Sequence, residues 1–322
     1  MKTIRILTAA LVAAIIACSC AVPALAAESD ENFRKAVAGL AVGDVDKNGT
    51  ININDATMIQ KIVASLITAD FREALLSDVN NDDKVSIDDV TAVQKITAGL
   101  IPTLSGKKGI DISSSNGDVD LNAVKEAGYE FVMLRCGFGD DLENQDDARF
   151  ESNVRKCEEL GLPWGVYFYS YALDLNGAKS EVEHVLRLLN GKKPTLPIAF
   201  DMEDGDGYKQ KAGMPSNKML VDICRTFIEG IREAGYYPIL YTGLDWIEDK
   251  LNDRELLESC DIWFAQWNAE CQYEGTNLGM WQYGGEVNYL ESETIDGVGV
   301  IDKNVCFRDY PDIIKKGHYN GW

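Results

Sequence analysis

The sequence predicts an α/β chain: an irregular (β/α)8-type barrel over residues 108–322, preceded by a small all-α module over 42–101. Three observations predict it. Eight short apolar runs alternate with amphipathic stretches from Lys108 onward. A twelve-residue acidic pattern occurs twice upstream, as DVDKNGTININD and DVNNDDKVSIDD, 34 residues apart. The total of 322 residues suits one barrel-sized domain and a small extra unit.

Residues 1–26 read as a secretory signal. Lys2 and Arg5 form a basic start, Ile6 to Ala17 an apolar stretch, and Ala24-Leu25-Ala26 a small-residue cleavage site before Ala27. The apolar stretch is too short to span a bilayer. Ile15-Ile16-Ala17-Cys18 also resembles a lipobox, so lipid attachment at Cys18 is the competing reading. Residues 27–41 form an N-terminal segment without a distinct pattern.

The two acidic loops over 42–101 have the spacing of calcium ligands. Asp44, Asp46, Asn48 and Asp55 fill positions 1, 3, 5 and 12, with the carbonyl of Thr50 at position 7. Asp78, Asn80, Asp82, Lys84 (carbonyl) and Asp89 repeat the set. Gly49 serves the sharp turn of the first loop, whereas Asp83 stands there in the second, so the second site is expected to be weaker. Each loop is followed by a helical apolar period: Ile59, Ile62, Val63, Leu66 in one copy and Val93, Ile96, Thr97, Leu100 in the other.

Loop plus exiting helix, duplicated, with Asp at position 12 and QKI-x-A-x-LI endings, resembles the dockerin family. The resemblance implies two structural Ca2+ ions and docking onto a cohesin module of a scaffold protein. Ile53, Asn54, Ile87 and Asp88 fall near the recognition positions of that family. A calcium-stabilised spacer with no partner is the alternative reading. Residues 102–107 are a short polar linker.

The strand candidates after the linker are KGIDIS, FVMLRCG, WGVYFYS, PIAFDME, YPILYTG, DIWFAQW, MWQYG and VGVIDKNVC. Helical stretches such as ARFESNVRKCEELG, AKSEVEHVLRLLNG and NKMLVDICRTFIEGIREAGY separate them, and several end in glycine. The last connections are short, so the final strands are expected to be irregular.

A barrel of this kind carries its active site at the C-terminal ends of its strands. Asp111, Asp201, Glu203, Gln282 and Asp302 are the polar residues read there, with Asn304 just beyond. Tyr167, Tyr169, Tyr241, Trp263 and Trp267 flank them. Carboxylates among aromatic rings suggest a sugar cleft. Asp201 and Glu203 stand at i and i+2, which points both to one face of a strand. Like charges held close raise the pKa of one partner, as a general acid requires.

GIDIS, GVYFYSYA, AFDMED, ILYTG, IWFAQW, MWQYG and VIDKNVCF, in this order, are similar to glycoside hydrolase family 25, from Lys108 to about Pro311. That resemblance implies a lysozyme-type muramidase, cutting the β-1,4 bond from N-acetylmuramic acid to N-acetylglucosamine in peptidoglycan with retention. Glu203 falls on the family's general acid and Asp201 on its partner. Asp111 and Asp302 match further acidic positions of the cleft. Direct nucleophilic attack needs carboxyls about 5–5.5 Å apart, inversion about 6.5–9.5 Å. Two groups on one strand suit a third route better, in which the substrate's 2-acetamido oxygen attacks. Such chemistry is expected to need no cofactor.

Alternatives remain open: a non-catalytic glycan-binding subunit of the scaffold, or a related N-acetylhexosaminidase acting on chitin-like glycans. The net charge of −21 excludes a nucleic-acid binder driven by phosphate contacts. The two histidines, His184 and His318, are too far apart to suggest a triad or zinc site. No segment beyond the leader suggests stable membrane insertion, and the chain is expected to be extracellular. The six cysteines downstream of the signal carry no pairing signal.

Overall fold

The computed structural model describes residues 42–322 except 49, 70, 81–83, 99, 101–105, 269–270, 274, 276 and 291. The signal, Cys18, residues 27–41, Gly49, Asp82, Asp83 and most of the linker lie outside the described residues.

In the N-terminal module the two copies fold alike. Helices Ile53–Val63 and Ile87–Thr97 follow the loops, capped by Asn52 and Ser86. Both starts are capping boxes, closed by Asp55 and Asp89, the residues at loop position 12. A small core of Val45, Ile59, Leu76, Val79 and Val93 joins the copies. One expectation is corrected. Leu66 and Leu100 fall beyond the helix ends and are exposed, because the chain turns off at Ala64 and Ala98. A further helix, Phe71–Ser77, which no apolar period announced, precedes the second loop.

Eight strands close a barrel in the order β1 (Lys107–Ile112), β2 (Phe131–Phe138), β3 (Trp164–Tyr169), β4 (Ile198–Asp201), β5 (Pro238–Gly243), β6 (Asp261–Ala265), β7 (Leu278–Gly284) and β10 (Asp302–Cys306). Strands β1 to β7 run parallel, separated by helices such as Phe150–Leu160, Leu175–Leu189 and Asn217–Glu233. Each of these helices turns its apolar face to the barrel, as Leu220, Cys224, Phe227 and Ile231 do from one stripe.

The last strand departs from the parallel plan. The run VGVIDKNVC breaks at Ile301: Gly299–Val300 (β9) pairs with Thr294–Ile295 (β8) in a small hairpin. Only then does β10 enter the barrel, antiparallel to both β1 and β7. The described residues between β7 and β10 form the β8–β9 hairpin and no helix, so the chain makes no helical crossover of the kind that a parallel return uses. Asp302 and Asn304 therefore begin their strand at the mouth, rather than ending it there.

Period-two alternation divides each strand between two cores. Val166, Phe168, Phe200, Leu240 and Phe264 face the helices. Phe131, Met133, Ala199, Ile239 and Met280 fill the barrel below the mouth. Gly109 admits Phe131 there, since a Cβ at Gly109 would stand 2.2 Å from that ring. Among the described residues no helix is long and apolar enough to cross a membrane. Cys136, Cys157, Cys224, Cys260 and Cys306 are free thiols.

Candidate active site

Strand register sets the acidic mouth. Tyr169, Asp201, Tyr241 and Trp263 lie side by side on β3, β4, β5 and β6. Asp111 pairs with Asp302, and Gln282 with Asn304. The carboxyls from three strands are thereby brought together.

Asp201 ends β4 and is buried, while Glu203, two residues on, is partly exposed. Burial raises Asp201 well above the ordinary carboxylate range, and the neighbouring Glu203 charge raises it further. Burial also raises Glu203; Lys209 pulls it down and Asp111 pushes it up. Asp302 is pushed up to about 8 by burial and by Asp111 and Glu203. Asp111 rises to about 6 through burial, held back by its hydrogen bonds. Four acids with values lifted above the ordinary carboxylate range gather around one mouth, and raised carboxyls are what acid–base chemistry uses.

A second layer fixes the first. Gln282 Nε2 and Asn304 Nδ2 both donate to Asp111 Oδ2, at 2.9 and 2.8 Å. Gln282 Oε1 in turn accepts from Tyr241 OH at 3.0 Å and Trp267 Nε1 at 3.1 Å. Trp263 Nε1 donates to Asn304 Oδ1 at 2.8 Å. Asp201 Oδ1 is different: it is buried and, among the described residues, accepts no hydrogen bond. An orphan acceptor beside the mouth suits a donor brought by a ligand.

The aromatic residues separate into two groups. Trp267 is 40 % exposed and presents an open face. Tyr169 is partly exposed beside Tyr171, at 5.3 Å between ring centres. Trp263, at 1 % exposure, has no face left for a sugar ring, and Asn304 is fully buried. Both were expected to touch substrate and instead support Asp111 from below. Tyr241 and Gln282 are also buried, and Tyr167 packs edge-on against Trp263 at 6.0 Å.

Several residues that shape the site gave no sequence signal. Asp204 and Asp206 are engaged: Asp204 accepts from the N–H of Lys209 and Gln210, and Asp206 from Tyr171 OH at 2.6 Å. Lys209 is fully buried below them. Arg135 pairs with Asp147 at 2.8 Å, and His184 Nε2 sits 2.8 Å from Asp146 Oδ1. These contacts pin the DLENQDDARF loop at the rim and give His184 a structural role. A Cβ at Gly285 would stand 2.2 Å from Asp302 Oδ1, so a glycine there lets that carboxyl into the mouth.

In the N-terminal module, Asp44, Asp46 and Asp55 each offer a carboxylate oxygen, all within 4.8 Å of one another. An all-oxygen set of this kind fits a hard divalent cation such as Ca2+. Asp78, Asn80, Lys84 and Asp89 occupy the second loop. The described part of that loop shows Asp89 buried and bonded to the N–H groups of Val79, Asn80 and Ser86.

Known proteins resemble the barrel. The autolytic lysozyme of Clostridium acetobutylicum is 29% identical over 196 residues, which cover 59% of this chain and 52% of the relative. Among solved structures, the modular autolysin LytC of Streptococcus pneumoniae superposes with a TM-score of 0.55 at 25% identity, over 62% of this chain and 46% of that one. The chain thus spans about half the length of these two relatives. A family 25 glycosyl hydrolase from Bacillus anthracis shares the fold, with a TM-score of 0.52 at 20% identity, over 66% of this chain and 93% of that one. The model of glycosyl hydrolases family 25 matches residues 110–291, more than half of the 322, and the chain belongs to that family.

Proposed function

We infer that the barrel is a muramidase, hydrolysing the β-1,4 bond between N-acetylmuramic acid and N-acetylglucosamine in peptidoglycan. The observation that carries this is the pair Asp201 and Glu203 at the end of β4, both raised by burial, one with an orphan acceptor oxygen. Family membership and the lysozyme named among its relatives point the same way.

In the mechanism we propose, Glu203 donates its proton to the glycosidic oxygen as the C1–O bond breaks. The carbonyl oxygen of the substrate's 2-acetamido group forms the new bond to C1. Asp201 Oδ1 accepts the acetamido N–H, orients it and stabilises the positive charge that develops. Glu203, now ionised, takes a proton from water, which opens the cyclic intermediate with net retention. Trp267 and Tyr169 supply sugar-facing surface, while Asp111, Gln282 and Asn304 hold the mouth in shape.

The N-terminal module is proposed to be a dockerin holding two Ca2+ ions, which attaches the secreted enzyme to a cohesin on a scaffold. Its equivalent first-turn residues Ile53 and Ile87 are 56% and 57% exposed, next to Asn54 and Asp88. Two apolar side chains left in water at matching positions favour a partner surface over a spacer.

Reducing-end analysis of digested peptidoglycan tests the bond. Muramic acid at the new reducing ends is expected. Glucosamine ends would make the enzyme a glucosaminidase, and no new ends would leave a glycan binder.

A further inference from the structure

Lys209 has no exposed surface, although burying an ammonium ion is costly. The loop after β4 is folded to put it there. The Asp204 carboxylate accepts the N–H groups of Lys209 and Gln210 at 2.7 and 2.9 Å, turning the chain back under the end of the strand. Lys209 Nζ then donates to the main-chain carbonyl of Glu203 at 2.9 Å and to that of Ser170. Ser170 is itself held: its hydroxyl donates to Glu181 Oε2 at 2.9 Å, and the next two N–H groups donate to Glu181 Oε1.

Neutral donors would satisfy two carbonyls at lower cost. What an ammonium adds is charge. Among the described residues no carboxylate stands within ion-pair distance of Lys209, so no single partner neutralises it. The groups facing it are Glu181 from helix Leu175–Leu189, Asp201 and Glu203 at β4, Asp204 in the loop, Tyr169 at 5.8 Å and the Cys224 thiol. Its positive charge acts on both Asp201 and Glu203 from the protein side, opposite to the effect of burial.

We propose that Lys209 is a positioning residue for the hydrolysis. Its buried ammonium locks the Glu203 main chain to the end of β3 and keeps one of the two mouth carboxyls ionised while the other holds a proton. Burial pushes both carboxyls toward the protonated form, whereas the reaction uses an acid beside a charged partner. The catalytic arm of this inference rests on the muramidase reading; the electrostatic arm does not.

The test is a nuclear magnetic resonance titration of side-chain carboxyl carbons and the Lys209 Nζ in the full chain, native and Lys209→Met, beside the pH profile of kcat/KM on peptidoglycan fragments. Lys209 is expected to stay charged throughout the active pH range. In Lys209→Met the titrations of Asp201 and Glu203 move up by about one pH unit or more, and both limbs of the profile move with them. Lys209→Arg, which keeps the charge, brings the limbs back toward native. A neutral Lys209 in the native protein overturns the proposal, and that titration alone decides if Lys209→Met does not fold. A folded Lys209→Met whose carboxyls titrate as in the native chain also overturns it. If the carboxyls shift but native protein cuts no peptidoglycan, the electrostatic role stands and the muramidase reading falls.

Discussion

Asn304 Nδ2 donates to Asp111 Oδ2 at 2.8 Å, joining residues 193 apart in sequence. The bond ties the first barrel strand to the last, so closing the barrel and building the acidic mouth are one event. Gln282 reaches the same oxygen from β7. The antiparallel entry of β10 makes this possible, because it delivers Asp302 and Asn304 to the mouth within a few residues of the strand's start.

Asp302 faces Asp111 across β1 and β10, and its carboxyl is pushed up to about 8. Asp111 lies near 6, and both stand above the ordinary 3.8. The folded chain therefore binds more protons here than the unfolded chain. The stability this contributes is complete below about pH 4 and is lost as the pH climbs through 6 to 8. Asp302→Asn is expected to raise Tm relative to native at pH 9 and to change it little at pH 4. Calorimetry at both values checks this, and equal shifts at both would contradict it.

Gly285 is the narrow point beside Asp302. A Cβ there would stand 2.2 Å from Asp302 Oδ1 and 2.8 Å from the Trp267 ring. Gly285→Ala is expected to displace both side chains and lower kcat/KM about tenfold or more, by analogy with misplaced site geometry. Circular dichroism should remain native. Unchanged kcat/KM would mean that neither side chain serves the reaction in its present place.

Much of the barrel was legible in the sequence because strand alternation and glycine-ended helices are local patterns. Gly161 and Gly235, at φ 63° and 84°, follow their helices as those patterns require. Asp201 and Glu203 were expected on one face of one strand; β4 ends at Asp201, and Glu203 reaches the mouth from the loop that follows. Lys209 and Glu181 were not legible, since their roles come from long-range burial and backbone contacts that no spacing records. Trp263 was misread for a related reason: an inward aromatic near the mouth looks the same in sequence whether it lies at the surface or one layer below. The reversed last strand had one clue, the absence of a long amphipathic stretch after MWQYG to carry a helical crossover.

Asp201 is assigned to the acetamido N–H of the substrate. Asp201→Asn is expected to cut kcat on N-acetylated wall by about 10²-fold or more. On wall chemically stripped of N-acetyl groups, the native enzyme should be as slow as the variant, because the attacking oxygen is gone. Release of soluble fragments measures both. Full-rate cleavage of deacetylated wall by the native enzyme would sink the substrate-assisted route.

The acidic loops should matter for attachment and not for hydrolysis. Chelation is expected to expose the N-terminal module to protease and to leave cleavage of soluble glycan fragments within about twofold of native, since binding energy at such sites is folding energy of the module alone. Limited proteolysis with and without Ca2+ checks the first part. A large loss of activity on soluble fragments would show that the ion reaches the barrel.

The central claim is that Glu203 supplies the proton for peptidoglycan cleavage. Clearance of a purified wall suspension by the native chain and by Glu203→Gln tests it directly. Clearance by the native chain, with a loss of about 10²-fold or more in the variant, is the predicted result. Equal clearance by both would contradict the assignment, and clearance by neither would contradict the muramidase reading itself.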